Sequence, residues 1–147
     1  MKKLIILDTI RAIDYMNQKV FIMVLLFLTV GCGSEPIRIG TETPNLPTPE
    51  ISELENNLNF HEQIIELVGY YHSGFEMSGL FARKGNSGNR KVWVDFSREL
   101  EEQVNDTLSI ELEGRRLRIQ GTYNAKSRGH LMQYFGTIEA DFIQTLN

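Results

Sequence analysis

The chain has 147 residues, of which 19 are acidic and 15 are basic, and its formal net charge is −4. A length of this order accommodates one small domain rather than several. An acidic chain lacks the basic surface that neutralises phosphates, so we expect no nucleic acid among its partners. The single cysteine excludes an internal disulfide, so the hydrophobic core alone must hold the domain together.

The first 31 residues carry a pattern typical of export signals. An apolar run of about eleven residues extends from Val20 to Val30, well short of the ~20 residues that a membrane-spanning helix needs. Lys19 precedes the run, and Met16 just before it is a candidate translation start. We therefore predict that residues 1–31 are a signal peptide that takes no part in the fold.

Gly31 and Cys32 end this apolar run. A small residue followed by cysteine resembles the lipobox of bacterial lipoproteins, although Thr29 stands where that family usually has an aliphatic residue. The resemblance implies that Cys32 receives lipid, including palmitate-type acyl chains, and becomes the mature N-terminus. It also implies attachment to a membrane of the cell envelope, facing the periplasm or the exterior, with the outer membrane as one destination. The alternative is a free cysteine beside an ordinary signal peptide.

Cleavage before Cys32 would make the protein more acidic, because 11 basic and 17 acidic residues remain and the net charge becomes about −6. All four prolines lie between residues 33 and 49, which predicts an extended, semi-rigid tether. Ile51, Leu54 and Leu58 have helical spacing and suggest a short helix. We assign anchor, tether and this helix to residues 32–62, and a small β domain to residues 63–147.

The β domain opens with patterns of strands and turns. Residues 64–72 are rich in β-branched and aromatic side chains and predict a strand, and a second strand is expected over 75–83. Two glycines and two asparagines predict a loop over 85–89. Residues 91–96 then alternate and predict a half-buried strand, with Val92, Val94 and Phe96 on one face and Lys91, Trp93 and Asp95 on the other.

Ser97 is the expected N-cap of a short helix that ends near Asn105, with an acidic first turn typical of a solvated helix face. Alternation over 108–113, a glycine at 114 and a further apolar–polar run over 116–120 predict a hairpin.

A polar loop is expected over 124–130. A last strand is expected over 134–146, with Ile138, Ala140 and Phe142 on one face.

Three strands, a short helix and further strands in this order predict a mainly β fold, namely a small OB-like barrel. Barrel closure would also remove exposed strand edges. The alternative is an antiparallel sheet with one helix packed on it. The chain also resembles a loosely defined set of small exported bacterial domains. The resemblance rests on the segment 74–78, Trp93, the segment 129–131 and Tyr134. That resemblance implies a small β domain and carries no activity.

Trp93, Arg116, Arg118 and His130 are the candidate ligand-binding residues. An aromatic ring beside cations on a strand face can stack a ligand. The alternative for Trp93 is a structural role covering the helix and core, and the alternative for His130 is that it pins its loop. These features predict a binding or scaffolding module for an envelope protein or a small ligand, attached to a membrane through its lipid.

A second hypothesis is a small envelope enzyme or a metal-handling protein that uses His72, Glu76 and His130. It requires the three side chains to meet near a common point. The sequence contains no local spacing of metal ligands and no nucleophile in a catalytic context, so we assign no catalytic residue, metal or cofactor.

Overall fold

A computed structural model of the chain describes residues 35–85, 91–104 and 106–147, without the side chains of 106 and 107. The predicted signal peptide and its lipid site at Cys32 lie outside the described residues. So do most of the predicted loop 85–89 and the predicted helix end at Asn105.

The folded unit begins at Pro36 and runs to Asn147. Its six strands are β1 (Arg38–Gly40), β2 (Gln63–Gly74), β3 (Met77–Phe81), β4 (Lys91–Phe96), β5 (Arg116–Asn124) and β6 (Thr137–Leu146). Its α-helices are α1 (Arg98–Glu101) and α2 (Asp106–Leu112), and 3₁₀ turns lie at Ile51–Leu54 and His130–Met132. Among the described residues, no helix has the length and apolar character needed to cross a membrane.

Five strands close into a barrel. β2 pairs with β3, β3 with β4, β4 with β6, β6 with β5, and β5 returns to β2. The β4–β6 pair is parallel and the other pairs are antiparallel. A small OB-like barrel has this arrangement, in which three consecutive strands are followed by a helical segment and two closing strands. The predicted mainly β fold is therefore confirmed.

The barrel interior follows the alternation of the strands. On β2, Ile65, Leu67 and Tyr71 point inward, and on β4 Val92 and Val94 do the same, as predicted. The remaining core side chains come from β3, β5, β6, the helices, the first 3₁₀ turn and Ala125, which follows β5. The core is continuous across the barrel, which is what a domain without disulfides requires.

Phe142 does not lie on the same face of β6 as Ile138 and Ala140, so this part of the prediction is wrong. Ile138 and Ala140 lie in the core, but β6 bulges between the residues that pair with Gly121 and Gln120 of β5. One extra residue, Asp141, shifts the alternation, so Ile143 continues the core face. Phe142 is buried on the other side of the strand, beneath two arginine side chains.

The predicted hairpin after the first helix is also wrong, because its first half is helix α2. Leu112 is fully buried and Leu108 packs against the core, whereas Ile110 between them is 76% exposed. Spacing of four residues places Leu108 and Leu112 on one helix face and turns Ile110 to solvent. The predicted turn at Gly114 is present, with φ +69°, and it leads into β5.

Three smaller corrections concern element ends. β3 is shorter than predicted because Phe75 and Glu76 form the turn after β2, and β6 starts at Thr137, so Tyr134 belongs to the preceding loop. Ser97 occupies the N-cap position of α1, but its side chain makes no capping hydrogen bond.

The predicted tether is extended, but the structure attaches it to the barrel instead of leaving it free. β1 pairs with the second half of β6, and the backbone N–H of Glu66 donates to the Pro47 carbonyl oxygen at 2.8 Å. Of the predicted helix, only the 3₁₀ turn forms; it buries Ile51 and Leu54, while Leu58 is 61% exposed. These contacts make the segment a structural part of the barrel.

Candidate functional site

The loop between β5 and β6, residues 125–136, lies against the outer face of β4. The Phe135 N–H donates to the Lys91 carbonyl and the Trp93 N–H donates to the Gly136 carbonyl, both at 2.9 Å. Tyr134 meets the Trp93 indole edge to face, with ring centroids 5.1 Å apart. Backbone and side-chain contacts together therefore fix this loop to the strand.

Further hydrogen bonds hold the loop from within. The Thr137 hydroxyl donates to the Ser127 carbonyl at 2.9 Å, and the Asn124 carboxamide oxygen accepts the Lys126 N–H at the same distance. The Tyr123 hydroxyl donates to the Phe135 carbonyl at 3.1 Å. Burial raises the pKa of Tyr123 to about 12. The loop is a built element rather than a loose connection, as a preorganised binding site requires.

A cleft of about 430 Å³ opens between this loop and the chain that follows the first 3₁₀ turn. The residues lining it are Glu55, Asn56, Lys91, Arg128, Met132, Gln133, Tyr134 and Phe135. A smaller cleft of about 220 Å³ shares Asn56, Arg128 and Phe135 with it, so the two are neighbours. A concave surface with several convergent polar side chains is the kind of site that small ligands occupy.

Two cations line the larger cleft. The Lys91 ammonium lies 4.5 Å from the centre of the Tyr134 ring and 5.8 Å from that of Phe81, and it donates to the Gln133 carboxamide oxygen at 3.3 Å. Burial raises the pKa of Tyr134, so this ring stays a neutral partner of the ammonium. Arg128 is exposed. Neither cation forms an ion pair with a carboxylate among the described residues.

Apolar side chains project from a turn within this loop and from the turn between β2 and β3. Phe75 is 95% exposed, and Leu131 and Met132 are 71% and 73% exposed. A polar contact joins the two turns, with 3.2 Å between the His130 Nε2 and a Glu76 carboxylate oxygen. Glu76, Leu131 and Met132 all adopt φ +55°, a left-handed conformation that is costly for residues other than glycine. Backbone strain of this kind is common at functional sites, and two of these three residues, Leu131 and Met132, lie in the β5–β6 loop.

The structure places Trp93 and His130 in one region but gives them supporting roles. Trp93 is half-buried, its indole N–H donates to an Asp95 carboxylate oxygen at 2.6 Å, and Tyr134 and Gly129 cover it. The predicted open stacking platform is therefore absent at Trp93. His130 joins the loop to the β2–β3 turn, which agrees with the alternative that it pins the loop.

Arg118 belongs to a different group of residues. It forms ion pairs with Glu42 and with Glu66, the latter at 3.4 Å, and its guanidinium lies 5.2 Å from the centre of the Phe142 ring. The hydrogen bond from Arg118 lowers the pKa of Glu42. Since Arg118 shares none of these partners with Trp93, the predicted joint patch does not form. Its contacts instead attach the N-terminal segment to the barrel.

Arg116 is exposed and lines a separate cleft of about 390 Å³, together with Arg83 and Glu50. It forms no ion pair with any residue that the structure describes. Its position supports neither the predicted patch with Trp93 nor a contact with the loop.

His72 does not join Glu76 and His130. Its Nδ1 lies 2.7 Å from a Glu113 carboxylate oxygen, and its ring meets Phe81 edge to face. Burial acts to raise the pKa of Glu113, but hydrogen bonds from Ser73 and His72 outweigh it and lower that pKa. Within the described ranges, no group of three histidine, cysteine or acidic residues could hold a metal ion.

The sequence pattern missed most of the cleft. Arg128, Gln133, Glu55 and Asn56 lie in three irregular segments, where neither periodicity nor motif spacing applies. The alternation places Lys91 on the outer face of its strand, beside Trp93, but does not mark it as a site residue. One available signal was charge, because the loop from Asn124 to Gly136 contains two cations, a histidine and no acid in an acidic protein.

No family model matches the sequence, and no curated protein matches it. Among solved structures, one match is to a protein assigned as an aspartyl-tRNA synthetase of Leishmania major Friedlin. The identity is 11% and the TM-score is 0.39, and the alignment covers 71% of this chain. The match spans about a fifth (21%) of that protein.

Proposed function

We propose that the chain is a lipid-anchored binding module of the cell envelope, and that its recognition surface is the 430 Å³ cleft beside the β5–β6 loop. The observation that carries the binding role is the construction of this loop. It is fixed to β4, it places Arg128 beside Lys91 of β4 at the cleft, where neither cation pairs with a carboxylate of the described residues, and it keeps Leu131 and Met132 exposed in left-handed conformations.

The proposed anchor rests on the sequence Gly31-Cys32 after an apolar run. Three residues separate Cys32 from Pro36, where the folded unit begins. Four extended residue steps reach about 14 Å, so a lipid on Cys32 would keep the barrel close to the membrane surface. The module would then act on partners or polymers near that surface rather than at a distance.

A binding role has more support than the alternative of an enzyme or a metal-handling protein. That alternative needs His72, Glu76 and His130 at one point, but His72 pairs with Glu113. The remaining Glu76–His130 pair has an evident structural role between two turns, which needs no reaction to explain it.

Site-specific photocrosslinking in intact cells tests the binding role. A photoreactive residue at Met132 reports on the cleft, and the same residue at Ile110 is a matched control, since the two native side chains are 73% and 76% exposed. We expect a reproducible crosslink to an envelope component at 132 and none at 110. Equal capture at both positions, or none at 132, would contradict the proposal.

A further inference from the structure

Basic residues are segregated from acidic ones along this chain. Residues 77–94 and 114–138 contain nine of the 15 lysines and arginines and none of the 19 acidic residues. In an acidic protein, such stretches give a local positive potential where their cations lie apart from the carboxylates of other segments.

The fold brings these two stretches together at the cleft. Lys91 comes from the first stretch and Arg128 from the second, and both line the cleft. The hydrogen bond from the Phe135 N–H to the Lys91 carbonyl, and that from Lys91 to Gln133, join the stretches directly. Arg38, Arg98 and Arg118 pair with carboxylates, whereas Lys91 and Arg128, like Arg116, form no ion pair with a described residue. At the cleft the cations remain available to a ligand.

The position of Lys91 is set before any ligand arrives. Two aromatic rings and a neutral amide contact the ammonium of the half-buried Lys91 residue, and these partners leave its positive charge uncompensated. A prepositioned cation with a second cation nearby favours a carboxylate or a similar anionic group.

The other polar side chains at the cleft favour a ligand that also carries hydroxyl groups. Asn56 and Gln133 offer both donors and acceptors, and Glu55 offers acceptors only. A purely phosphate-based polymer would meet repulsion from Glu55. An unpaired nucleic acid base would need an exposed aromatic face, but Tyr134 is 5% exposed and Trp93 is covered by the loop.

We infer that the cleft binds an anionic glycan, with Lys91 and Arg128 holding a sugar carboxylate and Glu55, Asn56 and Gln133 bonding to neighbouring hydroxyls. This inference rests on the proposed binding role and names its ligand class. The single tryptophan, Trp93, contacts Tyr134 of the cleft, so its fluorescence reports binding.

The experiment titrates the full chain in detergent with a hyaluronan hexasaccharide, in which glucuronate alternates with a neutral sugar. Neutral chitohexaose and hexathymidylate are the comparison ligands. We expect the hyaluronan fragment to bind most tightly, and its affinity to fall as salt is raised. Arg128→Gln and Lys91→Gln should each weaken binding about tenfold. Arg98→Gln, at a side chain 88% exposed on α1, should leave it unchanged.

Equal affinity for chitohexaose, tighter binding of hexathymidylate, or no binding of hyaluronan would each overturn the inference. A variant that binds weakly counts only if its circular dichroism spectrum is native, and exposed Arg128 provides the variant least able to disturb the fold. The crosslinking at Met132 tests the binding role separately from the ligand class. If position 132 captures an envelope component in cells but the purified protein binds no hyaluronan, only the anionic glycan is refuted as the ligand.

Discussion

Gly129 lies directly against Trp93. A Cβ at position 129 would come within 2.7 Å of the Trp93 Cβ, and the residue adopts φ +60°. Gly129→Ala should therefore combine backbone strain with a clash and reduce the free energy of unfolding by about 2–4 kcal/mol. Gly114 is the control for positive φ, because it has φ +69° but nothing lies within 4 Å of an added Cβ.

Denaturant titration of both variants, followed by Trp93 fluorescence, measures the difference. Gly114→Ala should lose only the strain component, about 1 kcal/mol. If the two substitutions cost the same, the contact between the loop and Trp93 does not hold the loop in place.

Arg118 should matter for attachment of the N-terminal segment. Arg118→Ala removes two ion pairs, leaves the half-buried carboxylate of Glu66 without this partner and uncovers Phe142, so we expect a loss of about 2 kcal/mol. Amide hydrogen exchange in β1 should also accelerate. Arg116→Ala, on the same strand and without an ion pair to a described residue, should change stability by less than about 0.5 kcal/mol. Unchanged exchange at Ile39 in the Arg118 variant would argue against this attachment.

Glu113 should make stability depend on pH in the acid range. Its pKa is lower in the folded protein than the ordinary 4.5, so its ionised form stabilises the fold above that value. This contribution is lost as pH falls below about 4.5 and the carboxylate becomes protonated. Glu113→Gln should thus destabilise the protein at neutral pH, and the difference from wild type should shrink in acid. Glu111→Gln on exposed α2 controls for loss of charge, and a pH-independent difference at Glu113 would contradict the prediction.

Tyr123 should make stability fall in alkali. Its pKa is raised from 10.0 to about 12, so between these values the unfolded chain releases a proton that the folded protein keeps. The free energy of unfolding should drop by roughly 2 kcal/mol over that interval. Tyr123→Phe should show a shallower drop, at a cost of about 1 kcal/mol at neutral pH for the lost bond to Phe135. An equally steep drop in the variant would show that another group is responsible.

The barrel was predictable because its strands have simple alternation. Ile65, Leu67, Val92 and Val94 point inward as their spacing indicates. The prediction is wrong where the spacing of apolar residues fits both a strand and a helix. Leu108 and Leu112 fit both a strand of period two and one helix face, and tertiary packing selected the helix.

The other differences between the predictions and the structure depend on contacts between residues that are far apart in the sequence. The bulge at Asp141 arises from the β5–β6 register, and the attachment of the N-terminal segment arises from partners such as Arg118, 76 positions after Glu42. The cleft likewise joins Asn56, Lys91 and Arg128, which are far apart in sequence. Trp93 and His130 both lie at the β5–β6 loop, but contacts with Asp95, Tyr134 and Glu76 decide what they do.

Mass spectrometry of the mature N-terminus tests the proposed envelope anchor most directly. The account predicts a membrane-associated chain of 116 residues that begins at Cys32 and carries a diacylglyceryl thioether. Cys32→Ala should abolish the lipid and leave the precursor uncleaved. A mature chain that begins elsewhere, or an unmodified Cys32 thiol in the native protein, would contradict the account.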